Sequence, residues 1–258
     1  MKHSPITPSN HKESLLLLAA EAARDAGKLL RENFAQSAVI RLDAGKDVKT
    51  VADVASESLI RRHLEATGVQ VLGEESVGMP PIDRTAPFWV VDPLDGTFNF
   101  TRGFPLCCVS IAYCEDLLPC LGVIYDFQSD ILYTGLPGYN AFANGAPIKV
   151  SKVDDQGQAV LATGFPAGRS FEGAALRDFL RKIKTFKKIR MIGSAALSLA
   201  YVASGQFDAY FEESIWWWDV AAGLALVEAA GGCWSAGMIG ADWKVNIRAW
   251  NGCLEKNF

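Results

Sequence analysis

Histidine is nearly missing from this chain. There are three in 258 residues, His3, His11 and His63, and none lies beside a polar motif. A phosphohistidine route or a Ser/His nucleophilic route, both of which depend on an imidazole, has little to use. His63 reads as an ordinary helix residue. Paired cysteines are missing as well. The six cysteines fall at 107, 108, 114, 120, 233 and 253 with no Cys-x-x-Cys pair, and four of them stand in apolar, strand-like text. Buried free thiols in a reducing compartment are the reading, ahead of a metal or redox role.

Charge of one sign is also lacking. The 25 Lys and Arg against 29 Asp and Glu leave a net charge of -4, and no basic run exceeds Lys187-Lys188. No footprint for a nucleic acid polymer or an anionic membrane is present. The apolar run Leu15-Leu16-Leu17-Leu18 gives way to Glu21 and Arg24 too soon for a membrane span or a secretory core. Met1 to Ser14, polar and carrying Pro5 and Pro8, reads as a short mobile tail on a cytoplasmic protein. Asn99-Phe100-Thr101 has the form of a glycosylation acceptor, but the triplet is common by chance and needs a secretory route. Repeats, low-complexity tracts and flexible linkers are absent.

Half the residues are apolar, enough to build a sizeable core in one large domain or two closely packed subdomains. Leu15, Leu18, Ala19, Ala22, Ala26, Leu29 and Leu30 recur at spacings of three and four, which predicts an amphipathic helix over residues 13–35. A second helix is predicted from Val51 to Ala66, capped by Thr50, with Asp53 at capping-box spacing and Gly68 as its stop. Short apolar runs follow at 70–72, 88–91, 109–113, 121–125 and 131–135 and read as strands. Asn144-Gly145 reads as a hairpin turn. Beyond residue 152, helices near 173–185, 194–204 and 218–230 alternate with strands near 188–192 and 207–212, as in a second α/β layer. The expected division is 1–152 and 153–258, with Asp154 to Gln158 as the boundary candidate.

The apolar strand Phe88 to Val91 stops at Asp92-Pro93-Leu94-Asp95-Gly96-Thr97, where Pro93 cannot donate a ladder bond and Gly96 permits a tight turn. Two carboxylates emerge there together. Two such charges about 4 Å apart repel by roughly 4 kcal/mol at an effective dielectric near 20, so a cluster of them needs hydrogen bonds, a shared proton or a cation. Oxygen-rich, histidine-poor text suits magnesium better than zinc. If a helical turn begins at Gly96 and Thr97, their N–H groups would cradle an anion. The same residue types also make a plain surface turn. Asp53, Glu74 in Leu72-Gly73-Glu74-Glu75-Ser76, and Asp219 in Trp218-Asp219 are candidate partners. Each has an ordinary alternative as a helix cap, a solvated loop residue or a first-turn acid.

Thr50-Val51-Ala52-Asp53, Gly73-Glu74-Glu75-Ser76, Asp92 to Phe100, Gly193-Ser194-Ala195-Ala196, Asp208-Ala209-Tyr210-Phe211-Glu212 and Trp218-Asp219-Val220-Ala221-Ala222-Gly223, running on to Glu228-Ala229-Ala230-Gly231-Gly232, together resemble the inositol monophosphatase family. They stand in the family's order and cover nearly the whole chain. The resemblance implies a layered α/β fold, an αβαβα sandwich, often dimeric, with magnesium between the two halves. It also implies roles. Glu74, Asp92 and the Leu94 carbonyl would hold a first metal; Asp92, Asp95 and Asp219 a second; Glu74 with Asp53 would lie near a weaker third. Glu74 and Thr97 would orient and activate the attacking water. Gly96 and Thr97 amides would bind phosphate, Glu212 a substrate hydroxyl, and Ala195 would line the pocket, which Asp95 and Asp219 also border.

The implied reaction is in-line hydrolysis of a small phosphate ester without a covalent enzyme intermediate, and the resemblance also implies inhibition by lithium. myo-Inositol 1-phosphate is the leading substrate. Fructose 1,6-bisphosphate, histidinol phosphate and 3'-phosphoadenosine 5'-phosphate stay open, as does a regulatory protein that kept the fold and lost turnover. Phe98, and Trp216-Trp217 before Trp218, depart from the family's smaller or polar side chains, so leaving-group recognition is the least determined feature. These tryptophans could equally pack between the subdomains.

Overall fold

The computed structural model describes residues 10–34, 40–44, 47–76, 81–165 and 173–255. Helix α1 (Asn10–Asn33) buries Leu15, Ala19, Ala22, Ala26 and Leu30 on one face, while Glu21, Arg24 and Lys28 face outward. The antiparallel pair β1 (Ile40–Ala44) and β2 (Asp47–Thr50), absent from the sequence reading, leads into α2 (Val51–Leu64). His63 on α2 meets Asp25 on α1 at 3.0 Å.

Next come β3 (Gln70–Gly73), β4 (Phe88–Asp95), the short α3 (Thr97–Thr101), β5 (Cys108–Glu115), β6 (Leu118–Asp126), β7 (Ile131–Gly135), β8 (Ala141–Ala143) and β9 (Ala146–Ile148). The seven strands β3 to β9 form one sheet in chain order, antiparallel except for the β3–β4 pair. Asn144 and Gly145 make the β8–β9 turn with φ of 48° and 80°, the geometry expected of that dipeptide.

The remaining elements are β10 (Val160–Thr163), α4 (Gly173–Ile183), β11 (Lys188–Arg190), α5 (Ala195–Ala203), β12 (Ala209–Trp216), α6 (Trp217–Ala229), β13 (Cys233–Ala236) and β14 (Lys244–Trp250). Their sheet runs β11-β10-β12-β14-β13. Its parallel pairs are joined through helices, and β14 returns antiparallel between β12 and β13.

The layers follow from which faces are apolar. Helices α1 and α2 cover one face of the seven-stranded sheet through Leu30, Ile60, Leu64, Trp89 and Tyr125. The other face shares a core with α5, α6 and the five-stranded sheet, including Val90, Ala112, Leu199, Tyr210 and Ile247. Phe179 of α4 closes the outer face of the second sheet against Phe211. The result is an αβαβα sandwich. Helix α6 sits in the middle because it is apolar all round: of its 13 residues all are buried except Asp219, which is half-buried, and Glu228, which is exposed. Each large apolar side chain buried there contributes about 1.5–3 kcal/mol.

Trp217 and Trp218 belong to this shared core, whereas Trp216 is half-buried. Its indole stacks on Trp218 with centroids 4.7 Å apart, and the Lys244 ammonium lies 4.3 Å from its centroid. All six thiols are unpaired; Cys107, Cys108 and Cys114 are buried, but Cys233 and Cys253 are exposed, contrary to the expectation of burial. Asn99 points inward, its amide donating to the carbonyls of Leu106 and Ile192 at 2.7 and 2.8 Å, so the acceptor-like triplet has a structural use. Among the described residues no helix is long and apolar enough to cross a membrane.

Candidate active site

Strand β4 runs further than its apolar text, through Pro93 to Asp95. Its pairing with β5 shifts register between Asp92 and Asp95, and such an irregularity accommodates a proline that has no N–H for the ladder. Ser56 of α2 donates to the Pro93 carbonyl at 2.9 Å, and the Leu94 N–H donates to Asp92 Oδ1 at 2.9 Å. Gly96 then turns the chain with φ 86°, and a Cβ there would lie 2.8 Å from the Leu106 carbonyl oxygen. Only glycine meets both demands without strain. Thr97 opens α3, so the Gly96 and Thr97 N–H groups precede its hydrogen-bond ladder.

Asp53 caps a helix and also reaches the turn after β4. It completes the capping box of α2, its Oδ2 accepting the Thr50 N–H at 2.8 Å and the Thr50 hydroxyl. Its Oδ1 accepts from Thr97 Oγ1 at 2.9 Å, and the Leu94 carbonyl lies 3.0 Å from the same hydroxyl. Burial raises the Asp53 pKa against the hydrogen bonds from Thr50 and Thr97. This side chain therefore stands with Thr97.

A second group forms around Asp92. Burial pushes its carboxyl well above the usual range, and the charges of Glu74, Asp95 and Asp219 push it further. Asp219, at the third position of α6, is likewise raised well above normal by burial, then by Glu74, Asp95 and Glu212; the Trp216 N–H at the start of the helix opposes this. Asp95 is pushed up to about 6 by burial, although Ser194 and the Ala196 amide hydrogen-bond to it. Ser194 caps α5, so Ala195, the first residue of that helix, borders the same carboxylate. Glu74 follows β3 in a turn held from behind: Glu57 accepts the Glu75 N–H at 2.8 Å and the Arg61 guanidinium at 2.8 Å.

Glu212, on β12, reaches the cluster from the second sheet. Tyr210 donates to its Oε2 at 2.8 Å, and burial pushes its carboxyl to about 7, with Asp95 adding to the rise. The predicted residues thus fall into two adjoining sets. Asp53, Thr97, Gly96 and the Leu94 carbonyl meet where β4 turns into α3; Glu74, Asp92, Asp95 and Asp219 are linked by their charges, and Glu212 joins them through Asp95 and Asp219. Among the described residues no three such side chains are drawn into a closed metal cage. The donor set is all hard oxygen and its uncompensated charge is large, and this fits a divalent cation such as magnesium or calcium better than a thiophilic metal.

With this geometry in place, the comparison with known families is decisive. The model of the inositol monophosphatase family matches residues 11–245. The chain belongs to the inositol monophosphatase family. A protein named inositol monophosphatase 3 from Solanum lycopersicum is 38% identical over 229 residues, covering 85% of each chain. One named Nus factor SuhB from Xylella fastidiosa is 40% identical over 222 residues, covering 83% of this chain and 79% of its own. The solved inositol monophosphatase of Anabaena superposes with a TM-score of 0.81 at 33% identity, over 95% of this chain and 93% of that one. This member of the inositol monophosphatase family is a phosphatase and shares the family's layered fold.

Several supports of the site are not legible in the sequence. Ser56 and Glu57 lie on the buried face of α2 and hold the turns carrying Pro93 and Glu75. The signal for Glu57 was its i,i+4 spacing to Arg61. Ser194 and Tyr210 stand inside the family-like motifs; the partner of Ser194, Asp95, is far away in sequence, whereas that of Tyr210, Glu212, is two residues on along the same strand face.

Proposed function

We propose that this protein is a magnesium-dependent phosphomonoesterase of small polyol phosphates, with myo-inositol 1-phosphate as its foremost substrate. The observation that carries the reading is the convergence of Asp92 and Asp95 at the end of β4 with Asp219 in the first turn of α6 and Glu74 after β3, where burial and then the charges of Glu74 and Asp95 raise both Asp92 and Asp219, a concentration of charge that a divalent cation would neutralise. Glu74, Asp92, Asp95, Asp219 and the Leu94 carbonyl would hold the cation, with Asp53 at the margin. Bound there, it would supply positive charge against the phosphoryl oxygens and make water more acidic.

The chain's own groups divide the remaining work. Gly96 and Thr97 N–H groups at the start of α3 receive the phosphate oxygens. The Thr97 hydroxyl, anchored between Asp53 and the Leu94 carbonyl, orients the attacking water, and Glu74 takes its proton. Glu212 accepts a hydrogen bond from a leaving-group hydroxyl, with Ala195 lining that side. Expulsion of the alkoxide in line with the attacking water requires no covalent intermediate. A homodimer belongs to the same reading, as does a reducing cytoplasm, and the unpaired thiols support the latter.

The test is phosphate release by the purified protein with magnesium, on myo-inositol 1-phosphate, fructose 1,6-bisphosphate, histidinol phosphate and 3'-phosphoadenosine 5'-phosphate, beside Asp92→Asn. Fastest release from the inositol ester, lost in the variant, is expected. Release from none of the four, or equal release by the variant, would sink the assignment.

A further inference from the structure

Glu212 is confined by two neighbours that the phosphatase reading leaves without a role. Tyr210 lies two residues earlier on β12, hence on the same face of the strand, and its hydroxyl donates to Glu212 Oε2 at 2.8 Å. The tyrosine is 1% exposed, and burial pushes its phenol well above the usual range. The O–H therefore stays a donor throughout ordinary pH. Its ring is fixed by the central core shared by α5, α6 and both sheets.

The other neighbour is Gly164, just beyond β10. Strands β10 and β12 pair in parallel with Thr163 opposite Phe211, and this register brings Gly164 alongside Glu212. A Cβ at Gly164 would lie 2.5 Å from Glu212 Oε2 and 2.7 Å from Oε1. Its φ lies outside the left-handed region, so what the position supplies is space for the carboxylate rather than backbone freedom.

We infer that Tyr210 and Gly164 are positioning residues that hold the Glu212 carboxylate in one orientation, with Oε2 committed to tyrosine and Oε1 presented to a leaving-group hydroxyl, and so set the preference for polyol esters. The inference rests on the proposed contact between Glu212 and substrate. A glutamate has several rotatable bonds, and ordering it on binding would weaken the contact; a carboxylate already ordered by a buried phenol and a close backbone avoids that loss. Neither residue touches the reacting phosphate, so the effect falls on recognition of the leaving group.

Steady-state kinetics of Tyr210→Phe, Gly164→Ala, Glu212→Ala and the Tyr210→Phe/Glu212→Ala double variant test this on two substrates, myo-inositol 1-phosphate and phenyl phosphate, which has no leaving-group hydroxyl. Tyr210→Phe and Gly164→Ala are each expected to raise KM for the inositol ester about tenfold, the scale of one hydrogen bond to a charged group, with kcat within about twofold. Their KM for phenyl phosphate stays unchanged, and Tyr210→Phe adds nothing once Glu212 is alanine. The groups displaced by a Gly164 Cβ are the far end of a flexible side chain, so this variant keeps the fold even if Tyr210→Phe does not. Equal KM changes on both substrates, or additive effects in the double variant, would overturn the inference while leaving the phosphatase reading intact. A wild-type protein inactive on both substrates would overturn the inference, and one inactive also on fructose 1,6-bisphosphate, histidinol phosphate and 3'-phosphoadenosine 5'-phosphate would overturn both.

Discussion

The Ser194 hydroxyl donates to Asp95 Oδ2 at 2.5 Å, joining the end of β4 in one sheet to the cap of α5. The Ala196 N–H addresses the same oxygen at 2.7 Å, as does the Cys108 thiol at 3.8 Å. These bonds orient Asp95 by saturating one oxygen and leaving Oδ1 for another partner. Removing the hydroxyl in Ser194→Ala is expected to weaken magnesium binding by about tenfold, the lower end of what supporting partners of a ligand contribute. Isothermal titration with magnesium reads this directly, and unchanged affinity would remove Ser194 from the site's architecture.

Asp92 is opposed by burial and then by Glu74, Asp95 and Asp219. Neutralising it relieves repulsion when no cation is bound. Metal-free Asp92→Asn is expected to melt about 2–4 °C above the metal-free parent, as a gain near 1 kcal/mol produces in a chain of this size. It should also lose most of the stabilisation that magnesium confers on the parent. Thermal melts in chelator and in excess magnesium give both quantities.

The raised acids give a sign for the pH dependence. Asp95 at about 6 and Glu212 at about 7 bind protons more tightly in the folded chain than unfolded, so their contribution is fully present below about pH 4 and is lost as pH rises to about 7. Metal-free protein should therefore lose stability across that window. Magnesium, which binds the ionised form, should reverse the trend, adding about 2.7 kcal/mol at a hundredfold excess over its Kd. Urea unfolding at several pH values checks the prediction, and a metal-free stability that climbs from pH 4 to 7 would contradict it.

Gly96 turns β4 into α3 at φ 86°. Gly96→Ala is expected to cost about 1–2 kcal/mol from backbone conformation alone, with more from the approach to the Leu106 carbonyl at 2.8 Å. Urea midpoints measure the loss. Phosphate release should fall more steeply than stability, because the Thr97 hydroxyl and both turn amides move with residue 96.

Lithium should inhibit phosphate release if a small monovalent ion occupies one position of the Asp92, Asp95 and Asp219 set. Titration of lithium against magnesium at fixed substrate tests it. Insensitivity would count against the inositol-phosphatase branch of the family and leave phosphoester hydrolysis standing.

Much of the fold was legible where burial is periodic. Helix α1 announced itself through Leu15, Ala19, Ala22, Ala26 and Leu30, and β3 to β7 through short apolar runs, because each buries one face against a layer. Strands β1, β2, β10, β13 and β14 were not legible. They are short or mixed in polarity, and β14 has its place only because β12 and β13 flank it. Strand β4 extends past its apolar text to Asp95 for a related reason: Pro93 ends a ladder locally, but a shifted register opposite β5 absorbs it.

The sequence by itself determined the chemistry available: a nearly histidine-free set of oxygen donors, Asp53, Glu74, Asp92, Asp95, Glu212 and Asp219, and a glycine followed by threonine where an anion could rest. The tertiary structure alone decided which of these meet. Carboxylates repel, so nothing local draws Asp95 toward Asp219 or Glu212. They are brought together because α6 is apolar on nearly every side and can be buried only between the two sheets, carrying Asp219 with it. Burying that helix outweighs the repulsion it imposes.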